Sequence, residues 1–321
     1  MDLPKFKDLP LAAGGPERSA WNVFGKDDEL GTLNLLTSET ALNAASSSIK
    51  TGEFFSLNWS LELPEPPLFN RSIGTKKVVS FAEVGAEYVM DDIYYDMNTQ
   101  ASTQWDGLRH VGNSKLGAFY NGVKRDEILD PDNVGRLGIH NVARKGIAGR
   151  GVLLDFKSYA DKKGIKFSPG DSYAIKLADL KAIVAEKQIT FIPGDILVIH
   201  TGWIEWYEAL PSKEREIYAS KQLVQSIGVE QSIEMLEWIW DSRFAAVASD
   251  APAFERFPAP PGEMLHESIL ALFGMPIGEF FDVQKLAQRA NELGRWNFFL
   301  TSAPLNRFGG VASPANALGI L

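Results

Sequence analysis

The sequence contains no cysteine. That excludes disulfides, thiolate nucleophiles and cysteine-ligated zinc or iron–sulfur centres, while remaining compatible with any cellular compartment. Histidine is also scarce: imidazole chemistry has only His110, His140, His200 and His266 to draw on. No run of lysine or arginine occurs, and 32 basic residues against 41 acidic ones leave a net charge of -9, so no stripe for phosphates is formed and a nucleic-acid partner is not expected. No apolar stretch approaches the length of a bilayer span. The start, Met1-Asp2-Leu3-Pro4-Lys5, lacks the charged-then-apolar pattern of a signal peptide. A cytoplasmic protein without a membrane partner is the expectation. Repeats, low-complexity tracts and clear linkers are absent as well.

What is present suits one sizeable core, since 45% of the residues are hydrophobic. Residues 1–30, with Pro10, Gly14, Gly15 and Pro16, read as an arm with little regular structure. A short helix is expected at 38–45. Alternation from Phe55 through Leu57, Trp59 and Leu61 reads as a strand within 52–63, and 78–84 and 88–95 read as two more. The Asn121-Gly122 pair signals a turn. Beyond it, buried strands are expected at 150–155, 196–200 and 244–249, a further strand at 173–177 and a last one at 296–301. Helices are expected from 138 to 145, at 178–187, within 213–224 and 229–240, and at 266–273 and 282–292. This alternation predicts an α/β unit: an arm with strands over 1–74, a main domain over 75–301 and a tail over 302–321, all in a single globular body.

The most informative stretch is Gln100-Ala101-Ser102-Thr103-Gln104-Trp105-Asp106-Gly107-Leu108-Arg109-His110. If it is extended, Gln100, Ser102, Gln104 and Asp106 share one face, with His110 nearby and Trp105 packing behind. Such a row is also what a half-solvated strand shows, so spacing alone leaves its role open. Asn141 beside His140 suggests a structural histidine. His200, closing an apolar strand, suits a site wall and a hydrogen-bonded core position equally. Trp238 and Trp240 read as core residues. Trp105, Phe254 and Phe257 are candidates for an aromatic substrate wall, as packing also explains.

The same stretch resembles the signature of the cyclase family that includes bacterial kynurenine formamidases and isatin hydrolases, His-x-Gly-Thr-His-x-Asp-x-Pro-x-His. The stretches Gly146-Ile147-Ala148-Gly149-Arg150-Gly151, Pro193-Gly194-Asp195-Ile196-Leu197 with His200-Thr201-Gly202-Trp203, Ser249-Asp250, and Gly274-Met275-Pro276-Ile277-Gly278-Glu279 are similar to further family segments, in family order over residues 75–301. The resemblance implies a swivelling β/β/α fold with a mixed central sheet and flanking helices, assembled as a homodimer or homotetramer. It also implies a divalent metal held at the positions of Gln100, Gln104 and Asp106, with His110 as base and with His266 and Glu279 joining the catalytic group. Trp105, Tyr120 and Asp250 are the expected substrate contacts.

The departures are chemical: Gln100 and Gln104 replace imidazoles, Ser102 a glycine and Leu108 a proline. A carboxamide oxygen is a neutral, hard ligand that suits Mg, Ca or Mn better than Zn. The implied activity is hydrolysis of an amide, lactam or lactone in a small molecule, arylformamidase-like, with no organic cofactor and with Mn, Mg or Zn as the metal. The substitutions leave two alternatives open, a metal-independent cyclase, dehydratase or isomerase of secondary metabolism and a family member that has lost catalysis.

Overall fold

In a computed structural model of the protein, which describes residues 3–11, 15–130, 132, 135–262 and 264–321, thirteen strands form among those residues. They are β1 (Phe54–Ser56), β2 (Thr75–Phe81), β3 (Ala86–Tyr95), β4 (Gln104–Asp106), β5 (Ile147–Asp155), β6 (Ala174–Ile175), β7 (Ile196–His200), β8 (Gly228–Val229), β9 (Ala246–Ser249), β10 (Ile277–Glu279), β11 (Asn297–Ser302), β12 (Ala312–Pro314) and β13 (Ala317–Ile320). Gly14, assigned to the irregular arm, lies outside the described residues.

Nine strands make one mixed sheet in the order β1-β13-β11-β5-β7-β9-β10-β4-β12. Its centre, β5-β7-β9-β10, is parallel, and the flanking pairings are antiparallel. The parallel strands coincide with the most continuous apolar runs in the chain: Val152, Leu153 and Leu154, then Ile196 through Ile199, then Ala245 through Ala248 are all buried. Strands covered on both faces need no alternation. Helices Ser38–Ser48 and Leu177–Glu186 pack against β5, and Phe156–Lys163 against β7.

Several boundaries differ from expectation for identifiable reasons. The strand expected within 52–63 ends at Ser56, because the Asn58 side chain then bonds Ala317 and the Trp59 amide donates to Thr103 Oγ1 at 2.7 Å. The helix expected from 229 begins at Ile233, where Ser232 caps it, while Gly228 and Val229 pair with β6. Residues 302–321, expected as a tail, supply β12 and β13 and so complete the sheet on both sides of the core. The Asn121-Gly122 turn forms with both residues at positive φ.

At the carboxyl ends of β5 and β7 a buried ion pair ties the parallel strands together. His200 Nδ1 is 2.8 Å from Asp155 Oδ1, and Nε2 is 3.0 Å from Glu205 Oε1 in the following helix. Asp155 also accepts from the Ser158 amide and so caps the helix after β5. Of the two roles open to His200 in the sequence, the structure selects the core one. Asp250, expected to touch substrate, spends both oxygens on the Thr201 and Trp203 amides at 2.6 and 2.8 Å, and so holds the turn after β7.

Burial disfavours the His200 cation, but the hydrogen bonds to Asp155 and Glu205 outweigh it and hold its pKa up at about 10. The unfolded value is about 6.5, so the folded state binds the extra proton between these limits. The contribution is therefore complete below about pH 6.5 and is lost as pH rises through about 10. Thermal unfolding of wild type should show a midpoint falling over that interval, and His200→Gln, less stable at pH 7, should show a shallower decline.

Candidate active site

The site is built on two three-residue strands, β4 and β10. β4 pairs antiparallel with β10 in a register that sets Gln104 opposite Glu279, Trp105 opposite Gly278 and Asp106 opposite Ile277. Alternation then sends Gln104, Asp106 and Glu279 to one face and Trp105 to the other. Trp105 is fully buried, its ring 4.9 Å from that of Phe281 and its Nε1 donating to Ser302 Oγ at 2.9 Å. Gly278 makes room for this packing: a Cβ there would lie 2.6 Å from the Phe281 ring and 2.7 Å from Ala248 Cβ. Trp105, expected as a substrate contact, is thus a core residue behind the site.

His266, from the helix Leu265–Ile269, closes the cluster. Its Nε2 lies 3.1 Å from Glu279 Oε1 and 3.5 Å from Asp106 Oδ2, and its Nδ1 lies 2.6 Å from Glu255 Oε2. With carboxylates at both nitrogens, the surroundings favour the doubly protonated ring. Burial opposes that charge, but the Glu255 charge and the bonds to Asp106, Glu255 and Glu279 raise the pKa well above the ordinary histidine value. Burial would also raise Asp106, yet the charges of His110 and His266 and the bond to His266 keep it below the usual carboxylate range. Burial, reinforced by the charge of Asp106, raises Glu279.

The two glutamines act as donors to the acids. Gln100 Nε2 lies 2.6 Å from Asp106 Oδ1, and Gln104 Nε2 lies 2.6 Å from Glu279 Oε2. Gln100 is not on β4; a turn in which the Ala101 amide donates to Asn98 O brings it in. His110 sits at the open side, its Nε2 3.8 Å from Asp106 Oδ2 and its side chain 25% exposed, and its ring centroid is 6.4 Å from that of His266. Arg71 donates to Gln100 O at 2.7 Å and lies over the Phe69 ring, which meets Phe257 edge-on at 5.4 Å.

Asp106, His266, Glu279, Gln100, Gln104 and His110 therefore converge, whereas Tyr120 and Phe254 do not. Tyr120 is buried and donates to Asp28 Oδ2 at 3.1 Å, and Phe254 lies in the core. His140 accepts from the Gly309 amide beside Phe308, as a structural histidine does. Glu255 and Arg71 escaped the sequence reading. Glu255 sits in a proline-rich loop, eleven residues before the histidine it orients, with no periodicity to connect them.

Two buried oxygens remain available: Gln104 Oε1 has no hydrogen-bond partner, and Asp106 Oδ2 has only long contacts, 3.5 Å to His266 Nε2 and 3.8 Å to His110 Nε2. Single ligand atoms of Asp106, His266 and Glu279 lie within 4.8 Å of one another. Once a cation displaces the Nε2 proton of His266, its ring, the carboxylates of Asp106 and Glu279 and Gln104 Oε1 form a donor set that fits a hard divalent ion, Mg or Mn ahead of Zn.

Comparisons with known proteins bear on the family and the fold. The Cyclase family model matches residues 40–256. A crystal structure described as a novel cyclase is 32% identical, with a TM-score of 0.81 over 94% of this chain and 99% of that chain. Isatin hydrolase A from Labrenzia aggregata, bound to benzyl benzoate, is 12% identical with a TM-score of 0.61, covering 88% of this chain and 98% of that one. Isatin hydrolase A from Ralstonia solanacearum is 14% identical with a TM-score of 0.57, covering 88% and 97%. No curated protein matches the sequence. The chain belongs to the cyclase family and has its mixed α/β fold.

Glu255 carries a test of the cluster. Glu255→Ala would leave the buried Nδ1–H of His266 without its acceptor, and breaking a buried charge pair from one side costs about 3–5 kcal/mol. Urea unfolding should register a loss of that order, with Glu255→Gln losing less because a carboxamide oxygen still accepts.

Proposed function

We propose that the protein is a hydrolase that opens an amide, lactam or lactone carbonyl of a small molecule, arylformamidase-like in reaction type, with His110 as general base. The observation that carries this reading is the position of His110 at the solvent edge of a buried acid cluster, 3.8 Å from Asp106. Of the site's two imidazoles, His266 is fixed by carboxylates on both nitrogens. His110 is the one placed to exchange a proton with water. The isatin hydrolases have the same fold, which is compatible with hydrolysis and does not specify the substrate.

In this mechanism water adds to the carbonyl carbon while His110 removes its proton. The same proton passes to the departing nitrogen or oxygen as the C–N or C–O bond breaks. Asp106 stabilises the cation that forms on His110 in between, and Glu255 holds the His266 ring in place. A divalent cation held by Asp106, Glu279, Gln104 Oε1 and a His266 that has given up its Nε2 proton would polarise the carbonyl and increase the acidity of the attacking water. Arg71, Phe69 and Phe257 offer a cationic and aromatic surface beside the cluster for the rest of the substrate.

A second reading, a metal-independent cyclase, dehydratase or isomerase, is favoured by one specific observation. The amide N–H groups of Gln100 and Gln104 bond Asp106 and Glu279, neutralising in part the acids that a cation would otherwise neutralise. His110 with Asp106 would then carry the acid–base work alone.

Assays with N-formylkynurenine, small lactones and cyclic imides should reveal hydrolysis. His110→Ala should lower kcat/KM by about 10²–10⁴-fold, the range of a lost general base, with an unchanged circular dichroism spectrum; equal rates would remove His110 from the mechanism. Elemental analysis separates the readings. Stoichiometric Mn or Mg, with turnover lost on chelation and restored by the metal, supports the hydrolase, whereas full turnover by metal-free protein supports the second reading.

A further inference from the structure

Just before β2, Phe69 and Asn70 adopt left-handed backbone in succession, at φ +57° and +55°. Asparagine tolerates that region, but a bulky phenylalanine enters it only at a cost that the surrounding structure must offset. The turn is anchored on either side. Leu68 is buried in the core and its carbonyl accepts from the Arg71 amide at 3.0 Å, while Arg71 Nη1 donates to Gln100 O at 2.7 Å. This backbone sets the Phe69 ring beneath the Arg71 guanidinium, 5.1 Å from its central carbon, and edge-on to Phe257 at 5.4 Å. Phe257 is pinned in turn by two backbone bonds with Ser226, of 2.9 and 3.0 Å, two residues after the Glu255 that holds His266.

Phe69, Arg71 and Phe257 are all half-buried, and the cation among them is incompletely used. Arginine carries five N–H donors in a planar fork. Among the described residues only the bond to Gln100 O engages them, and no carboxylate lies within ion-pair distance. Yet the acid cluster is close: Gln100, whose carbonyl meets the guanidinium, donates its side-chain amide to Asp106 Oδ1 at 2.6 Å. The charge of Arg71 favours the ionised forms of both Asp106 and Glu279. The direct donors to those acids are Gln100, Gln104 and His266, so the guanidinium is not consumed by them. A planar fork with unused donors matches a carboxylate, and two aromatic rings beside it match a flat apolar group.

We propose that Arg71 is a specificity-determining residue that binds a carboxylate carried by the substrate, with the aromatic ring of the same molecule against Phe69 and Phe257. This rests on the hydrolase reading and narrows it: among amides, lactams and lactones, the class taken is the aryl carboxylates, in which one ring carries both the acid and the acylated nitrogen or oxygen. The carboxylate is unchanged by the reaction. Its contact with Arg71 orients the ring so that the scissile carbonyl reaches His110. An anion entering beside Asp106 and Glu279 is repelled unless a cation receives it, so the same arginine admits what the cluster by itself excludes. A neutral analogue gains no such partner and leaves the fork unfilled.

Ligand binding tests this without turnover. Isothermal titration of wild type should show benzoate binding about 10–100-fold tighter than benzamide, the range of a hydrogen bond to a charged group, and tighter than cyclohexanecarboxylate, which lacks the flat ring. Arg71→Met, folded by circular dichroism, should lose the preference for the acid, and Arg71→Lys should keep part of it, since the charge remains without the fork. Equal affinities for benzoate and benzamide in wild type, or a preference that survives in Arg71→Met, would overturn the proposal, so the wild type alone can refute it. Turnover of N-formylanthranilate and formanilide separates it from the hydrolase reading. A higher kcat/KM for the acid that disappears in Arg71→Met supports both. Arg71-dependent benzoate binding without hydrolysis of either compound supports the carboxylate site and removes the hydrolase, whereas hydrolysis of both at equal kcat/KM supports the hydrolase and overturns the carboxylate site.

Discussion

The site depends on the register between β4 and β10. Three residues on each strand suffice to set Gln104 against Glu279 and to bring Asp106 to the same face. A slip of β4 by one residue would turn Gln104 and Asp106 into the core and Trp105 into the site while Glu279 kept its face, because side chains alternate with a period of two. Trp105 and Gly278 lock that register from behind. The indole fills the space that a glycine leaves, and its N–H is bonded to Ser302, so a shifted strand would forfeit both the packing and a buried hydrogen bond. The face that carries the acid cluster is therefore specified largely by residues packed behind it.

Supports from remote parts of the chain hold this pair of strands. β12 flanks β4 on its outer side, and β9 carries β10 on the inner side through a parallel pairing. Thr103 joins the approach to β4 to Phe280 O and to the Trp59 amide. The ends of the sequence thus reinforce its centre. Positioning of this kind is what an acid–base site requires, since small displacements of a proton-transfer group are expensive in rate.

Much of the fold was legible because its signals are local. Continuous apolar runs announced β5, β7 and β9, and Asn121-Gly122 announced a turn. Gln104, Asp106 and Trp105 obeyed the alternation that their spacing predicted. The convergence of His266 and Glu279 on Asp106 could not be read from periodicity and came from family resemblance alone. Glu255 was invisible to both, since a loop carboxylate is assigned to a histidine only when the fold brings them together. Asp250 and Tyr120 were misassigned for the complementary reason: a polar group in a suggestive position was already committed, to two turn amides in one case and to Asp28 in the other. The late strands β12 and β13 went unseen because they are short and pair with distant partners.

The glutamines are best understood through the charge they sit beside. Asp106, Glu255 and Glu279 are buried around one imidazolium, and close carboxylates in a medium poorer than water cannot all remain ionised without donors or cations nearby. His266 answers part of that demand with two N–H groups, and Arg71 contributes from a greater distance. An imidazole at position 100 or 104 would satisfy a carboxylate only in its donor tautomer, or as a second cation. A carboxamide always presents N–H groups to the acid and keeps an oxygen for whatever enters the site. Gln104 shows both uses, its nitrogen on Glu279 and its oxygen without a partner. The same substitution thus stabilises the acids and leaves a neutral acceptor next to Asp106. The arrangement leaves His110 at the edge of the cluster, partly exposed and beside the Asp106 carboxylate.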